Sequence, residues 1–269
     1  MRLSGSHVLL TGATGTIGSR LAAELALRGA RLTLVARRPG PLEALAARLG
    51  GAAVPTDLTD TRGLPDLVAA AEAHHGPVDV LLHNAAVETV GTLSEVRDGE
   101  VADAVALNLG APLELTRLVL PSMLARRQGC VVGVSSLAAL ATFPGLSVYG
   151  ATKAGLSAAL AGLRIELRGT GVRTTTVEIG PVASEMMERI GSQPLAAAAF
   201  ARARSLRVLP VLDADAVALA VVDAVEGDRP RLTLPRRAAP LASLTEAPRA
   251  VVRVALTGLR PATRDAVRA

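Results

Sequence analysis

The sequence predicts an α/β protein: a single Rossmann-type domain, a doubly wound parallel sheet of about seven strands with helices on both faces. Three observations carry this reading. Short runs rich in Val, Leu and Ile alternate with stretches of helical periodicity. The runs lack strict apolar–polar alternation, as parallel strands covered on both faces do. The first run also ends in a turn with Gly12, Gly15 and Gly18 that opens directly into a helical pattern.

Taken in order, strands are expected at His7–Thr11, Arg31–Ala36, Val78–His83, Gly129–Ser135, Val172–Ile179 and Arg231–Pro235, with a weaker one at Ala52–Pro55. Helices are expected at Ile17–Arg28, Pro41–Leu49, Thr61–His74, Glu95–Leu107, Ala111–Arg126, Tyr149–Arg168 and Asp213–Glu226. This β-α-β order implies right-handed crossovers. Residues 184–211 are Ala-rich and read as one or two short helices, a variable segment suited to substrate contact. The dinucleotide-binding catalytic domain is expected over 1–239, followed by a basic, apolar tail over 240–269.

Composition excludes several classes. A chain of 269 residues with 50% hydrophobic positions needs no staples to fold. Cys130 is the single cysteine, so an internal disulfide framework and a thiolate zinc cluster are ruled out. His74, His75 and His83 are too few and badly spaced for a metal site, and no metal is expected. The aromatic residues are Tyr149, Phe143 and Phe200, too few to stack nucleic-acid bases. The net charge of +5 sits in the tail: nine Arg against Glu246 and Asp265 from residue 229 onward leave residues 1–228 at −2. Met1–Ser6 runs straight into the first strand rather than into a signal-peptide pattern. The uncharged stretch 128–152 is broken by Ser, Pro and Gly. A cytoplasmic protein is therefore expected. In the tail, apolar residues beside a ladder of Arg suit an anionic membrane surface or packing over the substrate cleft.

The motifs point to nucleotide chemistry. Glycines in the turn Thr11–Gly18 let a pyrophosphate approach the backbone, and the following helix N-terminus supplies free N–H groups. The second strand ends in Arg37-Arg38, with no carboxylate for a ribose 2′-hydroxyl. An Arg there pairs with a 2′-phosphate, so NADP(H) is expected to be preferred over NAD(H). The sharpest signal is Tyr149-Gly150-Ala151-Thr152-Lys153. These are the only Tyr and the only Lys in a chain that uses Arg at the other 28 basic positions, and their spacing puts both on one helix face. A phenol ionises near pH 10, about three units too high for neutral-pH chemistry, and a neighbouring ammonium lowers that value.

Together these motifs resemble the classical branch of the short-chain dehydrogenase/reductase family across residues 5–235. The resemblance implies Asn108, Ser136, Tyr149 and Lys153 as the catalytic set, with Ser136 thirteen residues before Tyr149 and Asn108 holding a relay water. It implies cofactor contacts from Gly12, Thr14, Gly15, Thr16, Ile17, Gly18 and Arg37, from Asp57 and Leu58 at the adenine, and from Asn84, Ala85 and Ala86. Tyr149, Lys153, Val182 and Ser184 complete that list. The chain departs from the family pattern in four places. Its glycine spacing is more typical of the extended branch, Thr16 stands where Gly is usual, His83 and Ala86 flank the Asn84-Ala85 core of the Asn-Asn-Ala-Gly motif, and Ile179 replaces a Pro. The implied reaction is reversible hydride transfer between nicotinamide and a carbonyl or secondary alcohol. The implied partners are a small apolar substrate and a second or further copy of the chain, paired through Ala111–Arg126 and Tyr149–Arg168. Two alternatives stay open: a non-catalytic dinucleotide-binding regulator, and an isomerase or epimerase using bound cofactor.

Overall fold

The computed structural model describes residues 1–141, 143–205, 209–240 and 244. Seven strands form one parallel sheet: β1 His7–Thr11, β2 Arg31–Ala36, β3 Ala52–Pro55, β4 Val80–His83, β5 Gly129–Ser136, β6 Val172–Ile179 and β7 Arg231–Leu234. Their order is β3-β2-β1-β4-β5-β6-β7. The order reverses between β1 and β4, and ligands of such sheets bind beyond the strand C-termini at that switch point.

Helices cover both faces. On one side α1 (Thr16–Leu27), α2 (Pro39–Leu49) and α9 (Ala214–Glu226) bury Leu21, Leu25, Leu42, Val217 and Val221 against the sheet. On the other, α3 (Leu64–His75), α5 (Ala111–Arg126) and α6 (Ser147–Glu166) bury Leu64, Leu67, Leu115, Val119, Leu156 and Leu160. Each fully buried Leu contributes roughly 1.5–3 kcal/mol relative to exposure. The variable segment forms α7 (Glu185–Ser192) and α8 (Pro194–Ser205), which pack Ile190, Ala196 and Phe200 into a third apolar cluster with Leu146. The tail expectations over 240–269 lie outside the described residues, apart from Pro240 and Leu244.

One element differs from expectation. In place of a helix over Glu95–Leu107 there is a 3-10 turn at Leu93–Glu95, then α4 (Glu100–Val105). It runs through a π-helical turn, Ala106–Gly110, into α5 without a break. The cause is Asn108. Its side chain accepts from Val87 N (2.9 Å) and donates to Val87 O (2.8 Å) and Thr152 Oγ1 (3.0 Å), and these contacts hold a widened turn in place.

Candidate active site

The C-terminal ends of β1, β2, β4, β5 and β6 open on two adjoining cavities. The first is a groove lined by Gly12, Thr14, Gly15, Thr16, Ile17 and Gly18 from the β1–α1 turn, and by Arg37, Leu58, Asn84, Ala85, Ala86 and Ser184. Gly12 has φ +68°, and a Cβ there would meet Ala85 Cα at 2.7 Å. A Cβ on Gly18 would lie 2.0 Å from Gly12 O. The protein's own backbone demands glycine at both places. At Gly15 an added Cβ meets only Gly12 O, at 3.4 Å, so the open side of that residue belongs to whatever enters the groove. The N-terminus of α1 has no side-chain cap and no acidic residue in its first turn. Such a terminus, beside a glycine cradle, fits a dinucleotide pyrophosphate.

Asn84 fixes this cradle. Its Nδ2 donates to Thr11 O (3.2 Å) and Gly12 O (3.1 Å), and Thr11 Oγ1 accepts from Asn84 N and Ala85 N. Arg37 is exposed at the rim, beyond the buried end of β2. Asp57 sits close by but does not line the groove: its carboxylate accepts from Thr59 N (3.0 Å) and Thr59 Oγ1 (2.8 Å), which holds it below the usual carboxylate range. Val182 lines the second cavity rather than the groove. The segment after β6 lacks the family's Pro at Ile179, yet it is pinned, because Val182 bridges Leu212 and Leu212 N donates to Pro181 O at 2.7 Å.

The second cavity is lined by Ser136, Tyr149 and Ser184 and, among the described residues, otherwise by apolar side chains and backbone. Leu137, Phe143, Leu146, Ile179, Met187 and Phe200 are among its walls, and the rings of Phe143 and Phe200 stack 5.2 Å apart. Ser136 ends β5 and Tyr149 rises from the first turn of α6. The preceding Ser135 binds α6 to β5, donating to Lys153 O (3.0 Å) and accepting from Ser157 (2.8 Å). The two serines thus divide the work, Ser135 holding the frame and Ser136 facing the cavity.

Burial governs the electrostatics. It pushes the Tyr149 phenol up to about 12; a hydrogen bond with Ser136 opposes this, and the nearby Glu88 charge adds to it. It pushes the Lys153 ammonium down to about 8. Lys153 Nζ donates to Val134 O at 2.8 Å and lies 5.9 Å from the Tyr149 ring centroid. The lowering of Tyr149 by Lys153 expected from their spacing does not appear: desolvation raises the phenol, and the group that opposes it is Ser136, not Lys153. Tyr149 keeps its proton throughout the neutral range, the state a proton donor requires.

His83, which replaces the first Asn of the family motif, is buried with Nε2 on Thr116 Oγ1 (3.0 Å). Thr116 donates onward to Pro112 O (2.7 Å), so His83 carries its proton on Nε2, and Nδ1 has no partner among the described residues. Burial pushes His83 down to about 3. The ring stays neutral in the folded chain, while the unfolded chain takes up a proton below about pH 6.5. Stability is therefore lost as pH falls, by about 2 kcal/mol between pH 7 and pH 5 from this residue. His83→Asn is expected to remove that share of the slope, read as a smaller shift in the urea midpoint between the two pH values.

Sequence reasoning missed Glu88, Glu185 and Arg189, which the fold brings to the groove region, and the Phe pair of the second cavity. The Phe pair had a signal: together with Tyr149 these are all the aromatic residues of the chain.

Comparison with known proteins agrees with this geometry. The family model described as short chain dehydrogenase matches residues 6–195. Ketoacyl reductase HetN of Nostoc sp. is 40% identical over 190 residues, 69% of this chain and 66% of HetN. Fatty acyl-CoA reductase Rv0547c of Mycobacterium tuberculosis is 35% identical over 243 residues, 85% of this chain and 82% of that protein. A solved short-chain dehydrogenase from Streptomyces avermitilis superposes with a TM-score of 0.76 at 30% identity, covering 94% of each chain. The chain spans 66% of HetN and as little as 15% of another curated relative that it matches. It belongs to the short-chain dehydrogenase/reductase family of NAD(P)-dependent oxidoreductases. Among the described residues no helix is long and apolar enough to cross a membrane.

Proposed function

We propose that the protein reduces the carbonyl group of an apolar substrate with NADPH, the reverse oxidation being available to the same site. The observation that carries this reading is a cavity whose hydroxyls, among the described residues, are those of Ser136, Tyr149 and Ser184, joined to a glycine-cradled groove. The groove residues hold the dinucleotide, with the β1–α1 turn at its phosphates, Leu58 at the adenine end and Ser184 at the nicotinamide; Asp57, beside the groove, and Val182, in the adjoining cavity, flank the two ends. The bound cofactor supplies the hydride. Tyr149 gives its proton to the carbonyl oxygen as negative charge grows there. Ser136 hydrogen-bonds the same oxygen and orients it. Lys153, charged below about pH 8, anchors the ribose and completes the proton path, with Asn108 supporting a relay water. A regulator that only binds dinucleotide has no use for the Tyr149 proton, and an isomerase would show no net cofactor turnover. A panel of aliphatic ketones, aldehydes and ketoacyl thioesters, followed by NADPH oxidation, tests the reading; the relatives named as ketoacyl and fatty acyl-CoA reductases guide its chemistry.

The preference for NADP(H) rests on Arg37 at the groove rim and on the absence of a carboxylate at Val35 or Ala36. A charge-assisted bond to a 2′-phosphate contributes about 1.5–3 kcal/mol, or roughly tenfold to a hundredfold in affinity. Arg37→Ala is expected to lose most of the difference between NADPH and NADH, with Arg38→Ala milder. Titration of both cofactors decides it, and equal affinities in the wild type would remove Arg37 from the site.

The reading also includes a cytoplasmic location and a homodimer or homotetramer. Leu115, Val119, Met123 and Leu160 are spent on the core, so the surface available for pairing is narrower than the helix sequences suggest. It comprises the exposed Leu113 and Leu124 and a groove between α5 and α6 lined by Leu120, Ala159 and Leu163. Light scattering at micromolar concentration is expected to give a dimer or tetramer mass, and a monomer alone would end this part of the proposal.

A further inference from the structure

Helix α7 is a partition between the two cavities. Ser184, its N-cap, and Met186 line both of them. Glu185 and Arg189 face the groove, whereas Met187 and Ile190 face the apolar cavity. The helix is short, and its tie to the strand ends is an ion pair: Arg189 Nε donates to Glu88 Oε1 across 101 residues of sequence. The Glu88 side chain is 6% exposed and that of Arg189 58%. A carboxylate that deep is costly to leave without a cation, and α7 supplies one in Arg189. The base of the pair is rigid, because the backbone of the adjoining Val87 is gripped on both its N–H and its carbonyl by Asn108.

We propose that Glu88 is a positioning residue: through Arg189 it latches α7 across the junction of the two cavities, so that one ion pair shapes both the cofactor groove and the substrate wall. This rests on the assignment of the two cavities made above. Release of the latch lets Met186 and Met187 leave their places, while the Ser135 bonds that hold α6, and with it Tyr149 and Lys153, on β5 stay made; only the Glu88 charge felt by Tyr149 changes. Binding of both ligands then weakens while the chemical step does not.

Three readouts on Arg189→Ala, Glu88→Gln and the double variant test this. The first is hydrogen exchange of residues 185–192 with no ligand added. The second is NADPH affinity from the cofactor's own fluorescence, since the chain contains no Trp. The third is KM against kcat for an aliphatic ketone. Each single variant is expected to speed exchange about tenfold and raise the NADPH Kd and the ketone KM about five- to tenfold, with kcat of Arg189→Ala, which keeps the Glu88 carboxylate, within about threefold. The double variant is expected to be no worse than either single one, because both remove the same contact. Arg189→Lys, which keeps the cation, restores most of the loss. Arg189 lies at an exposed position, so its variants fold even where Glu88→Gln does not. Exchange in Arg189→Ala within about twofold of wild type overturns the latch. So does an NADPH Kd raised by Arg189→Ala but not by Glu88→Gln, which would place Arg189 on the cofactor instead. If the wild type binds no NADPH at all, the functional reading fails, and the exchange comparison alone still decides the latch.

Discussion

Tyr149→Phe lowers kcat by about a thousandfold or more and leaves NADPH affinity nearly unchanged, since general acid catalysis supplies typically 10²–10⁴ and the ring itself is retained. The magnitude follows from where the hydroxyl sits. It lies on the wall of a largely apolar cavity, with Ser136 as its hydrogen-bond partner and burial holding its proton in place up to about pH 12. Among the described residues the alternatives are poorer: the Ser136 hydroxyl is far less acidic, and Lys153 Nζ donates to Val134 O and does not line the cavity. A variant within about tenfold of wild type in kcat would show that Tyr149 is not the acid.

Lys153→Met is expected to have the next largest effect, on two parameters at once. Met matches the buried stem in size, so packing is kept. The variant loses the one ammonium beneath the Tyr149 ring and the donor assigned to the ribose. We expect kcat to fall about a hundredfold and the NADPH Kd to rise about tenfold. The sign of the pH dependence follows from burial. Lys153 is charged below about pH 8 and neutral above it, so wild-type kcat/KM for NADPH declines as pH rises through that value, and Lys153→Met removes the decline. A decline that persists in the variant would assign it to another group.

The parts of the site that were legible in the sequence are those whose chemistry is compressed into a short stretch or a rare residue. The glycine turn is local, and its demands at Gly12 and Gly18 are visible as backbone contacts in the fold. Tyr149 and Lys153 stand out because each is the only residue of its kind. The seven strands were legible too, because apolar runs buried on both faces differ sharply from amphipathic helices. Asn108 was recognisable by register, but the π-helical turn it creates was not. That turn depends on Val87, a partner 21 residues away, and its helical periodicity looks ordinary. The Glu88–Arg189 pair was hidden for the same reason at greater range: two common charged residues 101 positions apart carry no pattern until the fold joins them. Asp57 shows the opposite case. The residue is where the motif places it, but its carboxylate is turned to Thr59, a local competition that a motif cannot express.

The central claim is hydride transfer to a carbonyl with Tyr149 supplying the proton, and one measurement addresses it most directly. NADPH carrying deuterium at both positions of nicotinamide C4 is incubated with the wild type and a medium-chain aliphatic ketone, and the product alcohol is analysed by mass spectrometry. Deuterium is expected on the carbinol carbon of the alcohol, with almost no alcohol formed by Tyr149→Phe under the same conditions. NADPH binding without deuterium transfer to any member of the carbonyl panel would contradict it and leave a dinucleotide-binding protein that does not carry out this chemistry.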